Sequence, residues 1–442
     1  MNVAVVGCGY VGLVTGVGLA HIGHDVVAVE VDEGRRERIA TGRAPFYEPG
    51  LDELLQSSLA AGRFRLAAEL AEAADAEVVC LAVQTPPQAG GEIDLSYLRA
   101  AAVALARILT RDRNHVVAIR STVVPGTATG VVAPLLDGVA AVASNPEFLA
   151  EGTAVSDFLH PDRIVVGCDD PTGRELLDEL YRPLGAPIVM TSPATAELAK
   201  YTSNALLATL ISFSNEIGRI SESLRGVDVE DVLGIVHRDR RLTPTVDGRA
   251  VRPGILAYLR AGCGYGGSCL PKDLSALLAA RGAEGFEHPL LEGVRAVNES
   301  QAERLVQSVR SGLGGLDGRQ LALLGVAFKG GTDDLRESPG LAVLDLLLAA
   351  GAQVKVHDPL VAPEALAAWR ARGAVWTASV REALHEAEAV VVTTNAAEFE
   401  GLEGMIDSDD DSRPLVIDGR RVLSPERIGL GRYVGVGRGP ST

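Results

Sequence analysis

The chain has 442 residues, 47% of them hydrophobic, and its 41 Lys and Arg against 58 Asp and Glu give a formal net charge of −17. This length predicts two to four domains with sizeable cores. The negative charge argues against a nucleic-acid or anionic-membrane surface. Five cysteines without a CxxC pair indicate neither a disulfide framework nor a zinc or other metal site, and they favour a reducing cytoplasm. Residues 2 to 20 are uncharged but are interrupted by five glycines and lack a basic flank, so we predict neither a signal peptide nor a membrane span.

A nucleotide-binding pattern opens the chain. The apolar strand VAVVG is followed by GCGYVG and then by a helical stretch to about His21. The glycines of this pattern are Gly7, Gly9 and Gly12. Strand, GxGxxG and helix in this order predict a diphosphate bound at the helix N-terminus.

The next strand, at residues 25 to 32, indicates which dinucleotide binds. It carries Glu30, 18 positions after Gly12, where a carboxylate binds the adenosine ribose and repels a 2′-phosphate. The pattern therefore predicts NAD rather than NADP. Arg35 and Arg36 keep the alternative open, since an arginine near this position can accept the phosphate.

Strands and helices go on alternating, which predicts a doubly wound parallel sheet. Further strands are expected at residues 77 to 83 and 115 to 122, with Asp94 as the N-cap of a helix that starts at Leu95. Ligands of such sheets bind at the carboxyl ends of the strands. Polar residues and prolines follow three strands there: Thr85 and Pro86, Ser121 and Thr122, and Asn145, Pro146 and Glu147.

One long helix is predicted from Ser192 to about Leu224, because Ser-Pro starts it and apolar residues recur at helical spacing. Residues 201 to 215 carry no charge, so we expect the helix to be covered on most sides, by flanking domains or by a second subunit. Lys200 and Asn204 share one face of it.

A second α/β unit follows Gly315. Its strands are predicted at residues 321–329, 354–358, 389–394 and 415–419, with a helix from Ser338 to Gly351. The sequence thus predicts an α/β protein with two Rossmann-like doubly wound parallel-sheet domains joined by the long helix and a helical middle domain. The expected domains are residues 1–192, 193–314 and 315–442. The acidic DSDDD at residues 407–411 is expected to be a solvated loop.

The stretch GYGGSCLPKD, residues 264–273, carries Cys269 after three glycines and four residues before Asp273. Glycines let the backbone approach a ligand closely, so this thiol could face a functional site. The alternative is a structural turn that contains a small buried cysteine.

Eight motifs in order resemble the UDP-glucose/GDP-mannose dehydrogenases, and most closely the UDP-glucose 6-dehydrogenases among them. They are GCGYVG, YEPGLDELL, VQTP, STVVPGT, NPEFLAEGTA, AELAKYTSNALLATLISFSNE, GYGGSCLPKD and AFKGGTDDLRESP. The resemblance covers nearly the whole chain. It implies that NAD oxidises C6 of a nucleotide-activated sugar from alcohol to carboxylate, with two NAD per sugar and no release of the aldehyde.

The resemblance also implies the catalytic roles. The Cys269 thiolate attacks the aldehyde, and the thiohemiacetal is oxidised to a thioester that water hydrolyses. The position of Lys200 stabilises oxyanion charge, and that of Asn204 holds substrate and intermediates. Asp273, with Thr122 and Glu147, handles protons and the hydrolytic water.

Contact residues are implied in the same way. For NAD they are Gly7, Gly9, Tyr10, Val11, Gly12, Glu30, Arg35, Thr85, Thr122, Glu151, Cys269, Lys272 and Arg336. For the sugar nucleotide they are Glu147, Phe148, Leu149, Lys200, Asn204, Arg252, Tyr258, Leu259, Arg260, Gly262, Gly266, Phe328, Lys329 and Arg421.

The sequence departs from this family's usual pattern between Arg241 and Leu256, which are separated by about a dozen additional residues, a loop length of the kind that is often functional. An arginine that relatives use on the sugar nucleotide falls here, and either Arg241 or Arg252 could replace it. UDP-glucose is the expected substrate, with dTDP-glucose, GDP-mannose or a UDP-N-acetylhexosamine as alternatives. A two-electron dehydrogenase or a non-catalytic nucleotide-sugar sensor would leave Cys269 without a role.

The expected assembly is a homodimer through the helix of residues 192–224, because its apolar surface exceeds what one middle domain covers. Shorter members of the resembling family pair through the corresponding helix.

Overall fold

The computed structural model describes residues 1–280, 287–406, 413–428 and 432–440. The chain divides into two compact units. The first contains Met1–Ser203 and the segment that begins at Ser275, and the second contains Asn204–Leu274 and the later described residues. The acidic run at 407–411 lies outside the described residues. The boundaries of the three expected domains stay a prediction.

Eight strands form the sheet of the first unit. They are β1 Asn2–Val6, β2 Asp25–Val29, β3 Phe64–Ala67, β4 Val78–Leu81, β5 Val116–Ile119, β6 Ala141–Ser144, β7 Ile164–Cys168 and β8 Ile188–Thr191. They are arranged in the order β3-β2-β1-β4-β5-β6-β7-β8. The strand order reverses between β1 and β4, which is where doubly wound sheets bind their ligands.

The predicted doubly wound sheet is confirmed, with one pairing that the sequence did not indicate. β6 and β7 are antiparallel, with Ala143 opposite Cys168 and Ser144 opposite Gly167. β8 then pairs parallel with β7, so the last two strands run against the other six. These strands lie at the far edge of the sheet from β1, and the ligand-binding end keeps its parallel arrangement.

Seven helices flank this sheet. They are α1 Tyr10–His21, α2 Glu33–Ala40, α3 Leu51–Ala60, α4 Ser96–Leu105, α5 Ala133–Leu136, α6 Ala154–Leu159 and α7 Pro171–Tyr181. α1 is buried from Gly12 to Ala20, because it packs against the sheet and against α3 and α6. The prediction for α4 was one residue early, since Leu95 occupies the N-cap position. Asp94 still accepts a hydrogen bond from Ser96 N–H at 2.8 Å.

The long helix is confirmed as α8, Pro193–Glu222, with 30 residues. At 1.5 Å per residue it is about 45 Å long. Ser192 Oγ accepts a hydrogen bond from Thr195 N–H at 3.3 Å, as expected of an N-cap. Residues to Ser203 belong to the first unit and residues from Asn204 to the second.

The second unit begins with helices. They are α9 Val229–His237, α10 Leu270–Ala279, α11 Pro289–Glu299 and α12 Gln301–Leu313, with the last part of α10 assigned to the first unit. A short hairpin, β9 Thr245–Val246 and β10 Arg249–Ala250, interrupts them. It lies inside the additional residues after Arg241.

A six-stranded sheet completes the second unit. Its elements are β11 Gln320–Leu324, α13 Pro339–Ala349, β12 Gln353–His357, α14 Ala367–Arg370, β13 Val375–Trp376, α15 Val380–Leu384, β14 Ala389–Val392, α16 Leu402–Ile406, β15 Leu415–Asp418, α17 Pro425–Ile428 and β16 Tyr433–Gly435. The strand order is β13-β12-β11-β14-β15-β16, and all pairs are parallel. Ser338 caps α13 as predicted, because its Oγ accepts from Gly340 and Leu341 N–H. No helix in the described ranges has the length and apolar character needed to cross a bilayer.

Candidate active site

The glycine-rich loop between β1 and α1 has the geometry of a diphosphate cradle. Gly7 has φ +93°, and a Cβ at Gly12 would lie 1.8 Å from the Gly7 carbonyl oxygen, so neither position tolerates a side chain. Gly9 is different, because a Cβ there would meet no atom within 4 Å. Packing thus requires the outer glycines, while the middle one leaves open space at the start of α1, where Tyr10 and Val11 lie. The loop fits a dinucleotide diphosphate.

Glu30 lies just after β2 and is held by three donors. Its carboxylate accepts hydrogen bonds from Cys8 N–H, Asp32 N–H and Arg35 Nη1, each at 3.0 Å. Burial alone would raise the pKa of Glu30, but the hydrogen bonds from Asp32, Arg35 and Cys8 outweigh it, and the pKa lies below its usual value. A negative charge is therefore present where the ribose hydroxyls are expected.

Arg35 and Arg36, the two arginines that could have accepted the 2′-phosphate of NADP, both bind Glu30 instead. Arg35 forms the ion pair with the carboxylate, and Arg36 Nη1 donates to the Glu30 carbonyl oxygen at 2.7 Å. A 2′-phosphate bound here would face the Glu30 carboxylate, and the charge of Arg35 is already neutralised by that carboxylate. This arrangement favours NAD.

The ends of β4 and β5 meet through two threonines. Thr85 Oγ1 donates to the Thr122 carbonyl oxygen at 3.0 Å, so these predicted residues are neighbours. The loop after Thr122 is anchored by Glu197 of α8, which accepts from Gly126 N–H at 2.6 Å and Ala128 N–H at 2.8 Å. Burial raises the pKa of Glu197. Sequence reasoning gave Glu197 no role.

Glu48 is a second residue that sequence reasoning missed. Its carboxylate accepts from Tyr10 Oη, from Gly152 N–H at 2.7 Å and from Ala154 N–H at 2.8 Å. It thereby ties the start of α1 to the segment that contains Glu151, and both Tyr10 and Glu151 were predicted to contact NAD. The signal was available, since Glu48 belongs to the YEPG motif.

Glu147 and Lys200 form a buried ion pair. Glu147 Oε1 lies 3.1 Å from Lys200 Nζ, and their side chains are 6% and 4% exposed. The other carboxylate oxygen of Glu147 accepts from Leu149 N–H at 2.6 Å. Lys200 Nζ also lies 5.5 Å from the centroid of the Phe148 ring. Four predicted substrate residues are therefore adjacent.

A cavity of about 130 Å³ adjoins this group. Glu147, Phe148 and Leu149 line it. Arg120 and Arg163 line it as well, and the Arg163 guanidinium lies 4.1 Å from the Phe148 ring centroid. Both arginines were absent from the sequence prediction.

In the second unit, Cys269 immediately precedes α10, and its carbonyl oxygen accepts from Asp273 N–H at 2.9 Å. The Asp273 side chain is fully buried, and one of its oxygens lies 2.6 Å from Lys272 Nζ. The other oxygen accepts from Asn204 Nδ2, also at 2.6 Å. Ser268 Oγ is 3.5 Å from the Cys269 sulfur. Four predicted residues thus meet at the start of α10.

The cysteine loop packs against the segment after β11. A Cβ at Gly266 would lie 2.1 Å from the Glu337 carbonyl oxygen, so only glycine fits. Gly267 N–H donates to the Arg336 carbonyl oxygen at 2.9 Å. A Cβ at Gly267 would lie 2.9 Å from the Phe328 ring. Lys329 Nζ lies 5.4 Å from the centroid of that ring. The loop and the predicted substrate residues after β11 are therefore neighbours.

Arg336 was predicted to contact NAD. Its guanidinium binds the Asp334 carboxylate, with the shortest distance at 2.7 Å. Its carbonyl oxygen accepts a hydrogen bond from Gly267 N–H of the cysteine loop.

The two arginines after β15 have different partners. Arg420 donates to the carbonyl oxygens of Thr393, Gly264 and Phe328 at 2.8, 3.3 and 3.0 Å, and so contacts the cysteine loop. Arg421, the predicted substrate contact, forms a bidentate pair with Asp228 at 2.8 Å. The two arginines are adjacent in sequence, and only their partners in the fold distinguish them.

The additional residues form a hairpin whose turn is Asp247-Gly248, both with positive φ. Asp-Gly favours such a turn, because both of its residues readily adopt positive φ. Arg252 follows the hairpin and is exposed. Arg241, the other candidate, forms an exposed pair with Asp239.

The predicted substrate segment Tyr258–Gly262 follows the hairpin. Leu259 is buried, and its carbonyl oxygen lies 3.1 Å from His237 Nε2. Arg260 pairs with Glu230 at 2.9 Å, and Tyr258 is half-buried.

Comparison with known proteins gives the context of these residues. Three models of the UDP-glucose/GDP-mannose dehydrogenase family match: the NAD binding domain at residues 1–185, the central domain at 194–300 and the UDP binding domain at 322–425. The first match gives NAD as the cofactor.

Two relatives and one solved structure align over nearly the whole chain. UDP-glucose 6-dehydrogenase YwqF of Bacillus subtilis is 37% identical over 99% of this chain and 98% of its own length. UDP-glucose 6-dehydrogenase AglM of Haloferax volcanii is 39% identical over 97% of this chain and 99% of its own length. A UDP-glucose dehydrogenase structure from the archaeon Pyrobaculum islandicum has a TM-score of 0.89 and 39% identity, covering 99% of this chain and 98% of that one. The chain belongs to the UDP-glucose/GDP-mannose dehydrogenase family.

Proposed function

We propose that this protein oxidises C6 of the glucose unit of UDP-glucose from alcohol to carboxylate, with two NAD per sugar. The observation that carries the proposal is Cys269 directly before α10, with its carbonyl oxygen bound by the N–H of Asp273, a buried residue whose carboxylate oxygens are bound by Lys272 and Asn204. A thiol and a positioned carboxylate on one turn suit covalent capture of an aldehyde. A two-electron dehydrogenase would not need it.

The residues of the second unit carry the covalent steps. Cys269 directly precedes the first turn of α10, whose N–H groups stabilise negative charge that develops at the helix N-terminus. The sulfur adds to the C6 aldehyde to give a thiohemiacetal, whose oxidation gives a thioester. Water then hydrolyses the thioester, which releases the acid and returns the thiol. Asp273 accepts and returns protons in these steps, and Asn204 donates a hydrogen bond to the reacting oxygen.

The residues of the first unit carry the cofactor and further charge stabilisation. NAD, when bound, accepts one hydride from C6 in each of the two oxidations. The Lys200 ammonium stabilises negative charge on the C6 oxygen, and Glu147 holds that ammonium in position. Thr122 and Glu147 orient the hydrolytic water. The assignment of residues from both units to one reaction is part of the proposal and rests on the family relation.

The sugar-nucleotide contacts are proposed from the same motifs. Phe328, Lys329 and the Tyr258–Gly262 segment are assigned to the nucleotide and sugar. UDP-glucose is favoured because the relatives that align end to end are named for it. dTDP-glucose is the second candidate, since the additional hairpin changes the segment where relatives carry a substrate arginine, and the exposed Arg252 could take that role.

The test is to incubate the protein with NAD and a panel of UDP-, dTDP- and GDP-hexoses and count NADH formed per sugar consumed. Two NADH per UDP-glucose, with the uronate as product, supports the proposal. One NADH per sugar would indicate the two-electron dehydrogenase. Binding without turnover on every sugar would indicate a nucleotide-sugar sensor, and preference for dTDP-glucose would correct the base.

We also propose a homodimer through α8. Leu206, Phe213 and Ile220 are 49%, 49% and 53% exposed, and they follow one another at intervals of seven residues. That spacing forms a continuous apolar seam along one side of a helix, of the kind that a second helix covers. A two-fold contact would bury each seam against its own copy.

The domain division at residues 1–192, 193–314 and 315–442 and a cytoplasmic location are proposed as well. The three family matches fall within these three ranges and support the division. The five cysteines all lie in described residues and form no disulfide, which suits a reducing compartment.

A further inference from the structure

The segment Gly262–Tyr265, which leads into the cysteine loop, belongs to no helix or strand. Backbone groups buried outside regular structure need other partners. Arg420 binds the Gly264 carbonyl oxygen, and the backbone groups of Gly262 and Tyr265 are bound by three side-chain amides, which we call the amide clamp. They are Asn215 of α8, Asn298 of α11 and Gln301 of α12. None of the three was among the residues that the sequence indicated.

Two members of the amide clamp hold Gly262. Gly262 N–H donates to Asn215 Oδ1 at 2.7 Å, and Gln301 Nε2 donates to the Gly262 carbonyl oxygen at 2.7 Å. Asn215 and Gln301 are buried, with 0% and 2% exposure. Arg219 fixes the orientation of the Gln301 amide, because its Nη2 donates to Gln301 Oε1 at 2.7 Å.

Asn298 holds Tyr265 by both of its backbone groups. Tyr265 N–H donates to Asn298 Oδ1 at 2.8 Å, and Asn298 Nδ2 donates to the Tyr265 carbonyl oxygen at 3.0 Å. Two such bonds from one amide leave a single orientation for the Tyr265 backbone. A Cβ at Gly264 would lie 2.6 Å from Asn298 Oδ1, so this close approach requires the glycine.

We infer that Asn298, Gln301 and Asn215 are positioning residues for the Cys269 thiol. The inference rests on the proposed covalent function. Tyr265 is four residues before Cys269, and the loop after it is held at Gly267 by the Arg336 carbonyl and at Cys269 by α10. The amide clamp therefore fixes the segment that leads to Cys269 at Tyr265, and the contacts at Gly267 and Cys269 fix its other end. Sulfur attack on an aldehyde needs such placement, since an error of about 1 Å can cost about 100-fold in rate.

The test compares Asn298→Ala and Gln301→Ala with Glu292→Ala, an exposed position on the same helix as Asn298. Three quantities are measured for each: kcat and KM with UDP-glucose and NAD, the rate of Cys269 alkylation by iodoacetamide in the absence of substrate, and the melting temperature. Asn298→Asp is a further variant, which keeps the acceptor for Tyr265 N–H and removes the donor to its carbonyl oxygen. It serves as the test should Asn298→Ala not fold.

Both alanine variants are expected to lower kcat by about tenfold or more, because the sulfur is misplaced. The KM for NAD should change less than kcat, because Glu30 and the glycine loop belong to the first unit, and only the predicted NAD contacts Cys269, Lys272 and Arg336 belong to the second unit with the amide clamp. Alkylation should become faster, since a loosened loop admits the small reagent. A merely structural role would lower the melting temperature and leave kcat and alkylation equal to the Glu292→Ala control, which would overturn the inference. A wild type that forms only one NADH would refute the proposed function instead, while the alkylation rates would still report on the loop.

Discussion

Asn204 Nδ2 donates a hydrogen bond to Asp273 Oδ2 at 2.6 Å, and the carboxylate that accepts it is fully buried. Lys272 Nζ lies 2.6 Å from the other oxygen of the same carboxylate. A buried charge is stable only when both of its sides are compensated. Asn204 is therefore as much a partner of Asp273 as a candidate substrate contact, and its two roles can be separated by substitution.

Asn204→Ala is expected to lower kcat by about 10- to 100-fold, because loss of one partner leaves a buried carboxylate oxygen unpaired at a cost of about 1–3 kcal/mol. Asn204→Asp should be worse at neutral pH, since it places a second carboxylate beside Asp273 and one of the two must take up a proton. Its activity should be confined to more alkaline pH than that of the wild type. Steady-state NADH formation between pH 6 and 10 measures this. Matching pH profiles for Asn204→Asp and wild type would contradict the role given to Asn204.

Cys269→Ser is expected to lose turnover to the acid while binding of UDP-glucose and NAD survives. A serine hydroxyl is not ionised near neutrality and gives no thioester-like intermediate. Product analysis by mass spectrometry and ligand binding by calorimetry measure the two effects. Ser268→Ala, which removes the neighbouring hydroxyl, is the matched control and should keep two NADH per sugar. Full turnover by Cys269→Ser would rule out the covalent route.

Glu30→Ala is expected to narrow the preference for NAD over NADP by about tenfold or more, equivalent to about 1.4 kcal/mol. The substitution removes a carboxylate that would repel the 2′-phosphate, and it frees Arg35 from its ion pair. The ratio of kcat/KM for the two cofactors measures the change. Glu33→Ala, on the exposed side of α2, should leave the ratio unchanged. A wild type equally fast with NADP would contradict the role of Glu30.

The sequence predicted β1 and the long helix α8 well, because VAVVG and the apolar run of α8 have strong local signals. It missed the short edge strands β3, β13 and β16, which have few apolar positions, and it also missed the neighbouring strands β7 and β8, although β7 is buried throughout. It also missed residues whose role depends on distant partners. Asn298 binds a peptide group 33 residues away, Glu48 binds Gly152 at a separation of 104 residues, and Arg420 binds Gly264 at 156. Only the fold brings such pairs together.

The ion pair between Asp228 and Arg421 is expected to make part of the free energy of unfolding depend on pH. Burial alone raises the pKa of Asp228, but hydrogen bonds from Arg421 and Glu230 N–H outweigh it and lower the pKa below its ordinary value of 3.8. The pair therefore stabilises the fold above pH 3.8, and this contribution is lost as the pH falls below that value through the lower folded-state pKa. Asp228→Asn should cost about 1.5–3 kcal/mol at pH 7, the range for a hydrogen bond to a charged group.

Urea unfolding of wild type and Asp228→Asn at pH 7, 5 and 3 measures this contribution. The difference in the free energy of unfolding between wild type and Asp228→Asn should be constant from pH 7 to 5 and smaller at pH 3. Asp231→Asn, an exposed position on α9, is the control and should show no difference. If the difference in the free energy of unfolding between wild type and Asp228→Asn were as large at pH 3 as at pH 7, the ion pair could not be its cause.

The last prediction concerns the seam of Leu206, Phe213 and Ile220 on α8. The opposite face of this part of the helix is buried, with Ala208, Ser212 and Asn215 at 0%, 2% and 0% exposure. One side of α8 is thus covered by the second unit, and the seam is left in solvent. Three large apolar side chains, each about half exposed and aligned at seven-residue spacing, form the surface through which we propose that two copies pair.

Light scattering at micromolar protein is expected to give twice the 46.1 kDa chain mass. Phe213→Asp should shift the protein to monomer, because a dimer would bury two unpaired carboxylates at the centre of the seam, and each would be costly to desolvate. Glu216→Gln, also exposed on α8 but outside the apolar seam, should leave the dimer intact and provides the control. A wild-type monomer would refute the dimer. A dimer that survives Phe213→Asp would show that the copies meet elsewhere, because residue 213 is the middle position of the seam and a seam contact would bury its charge.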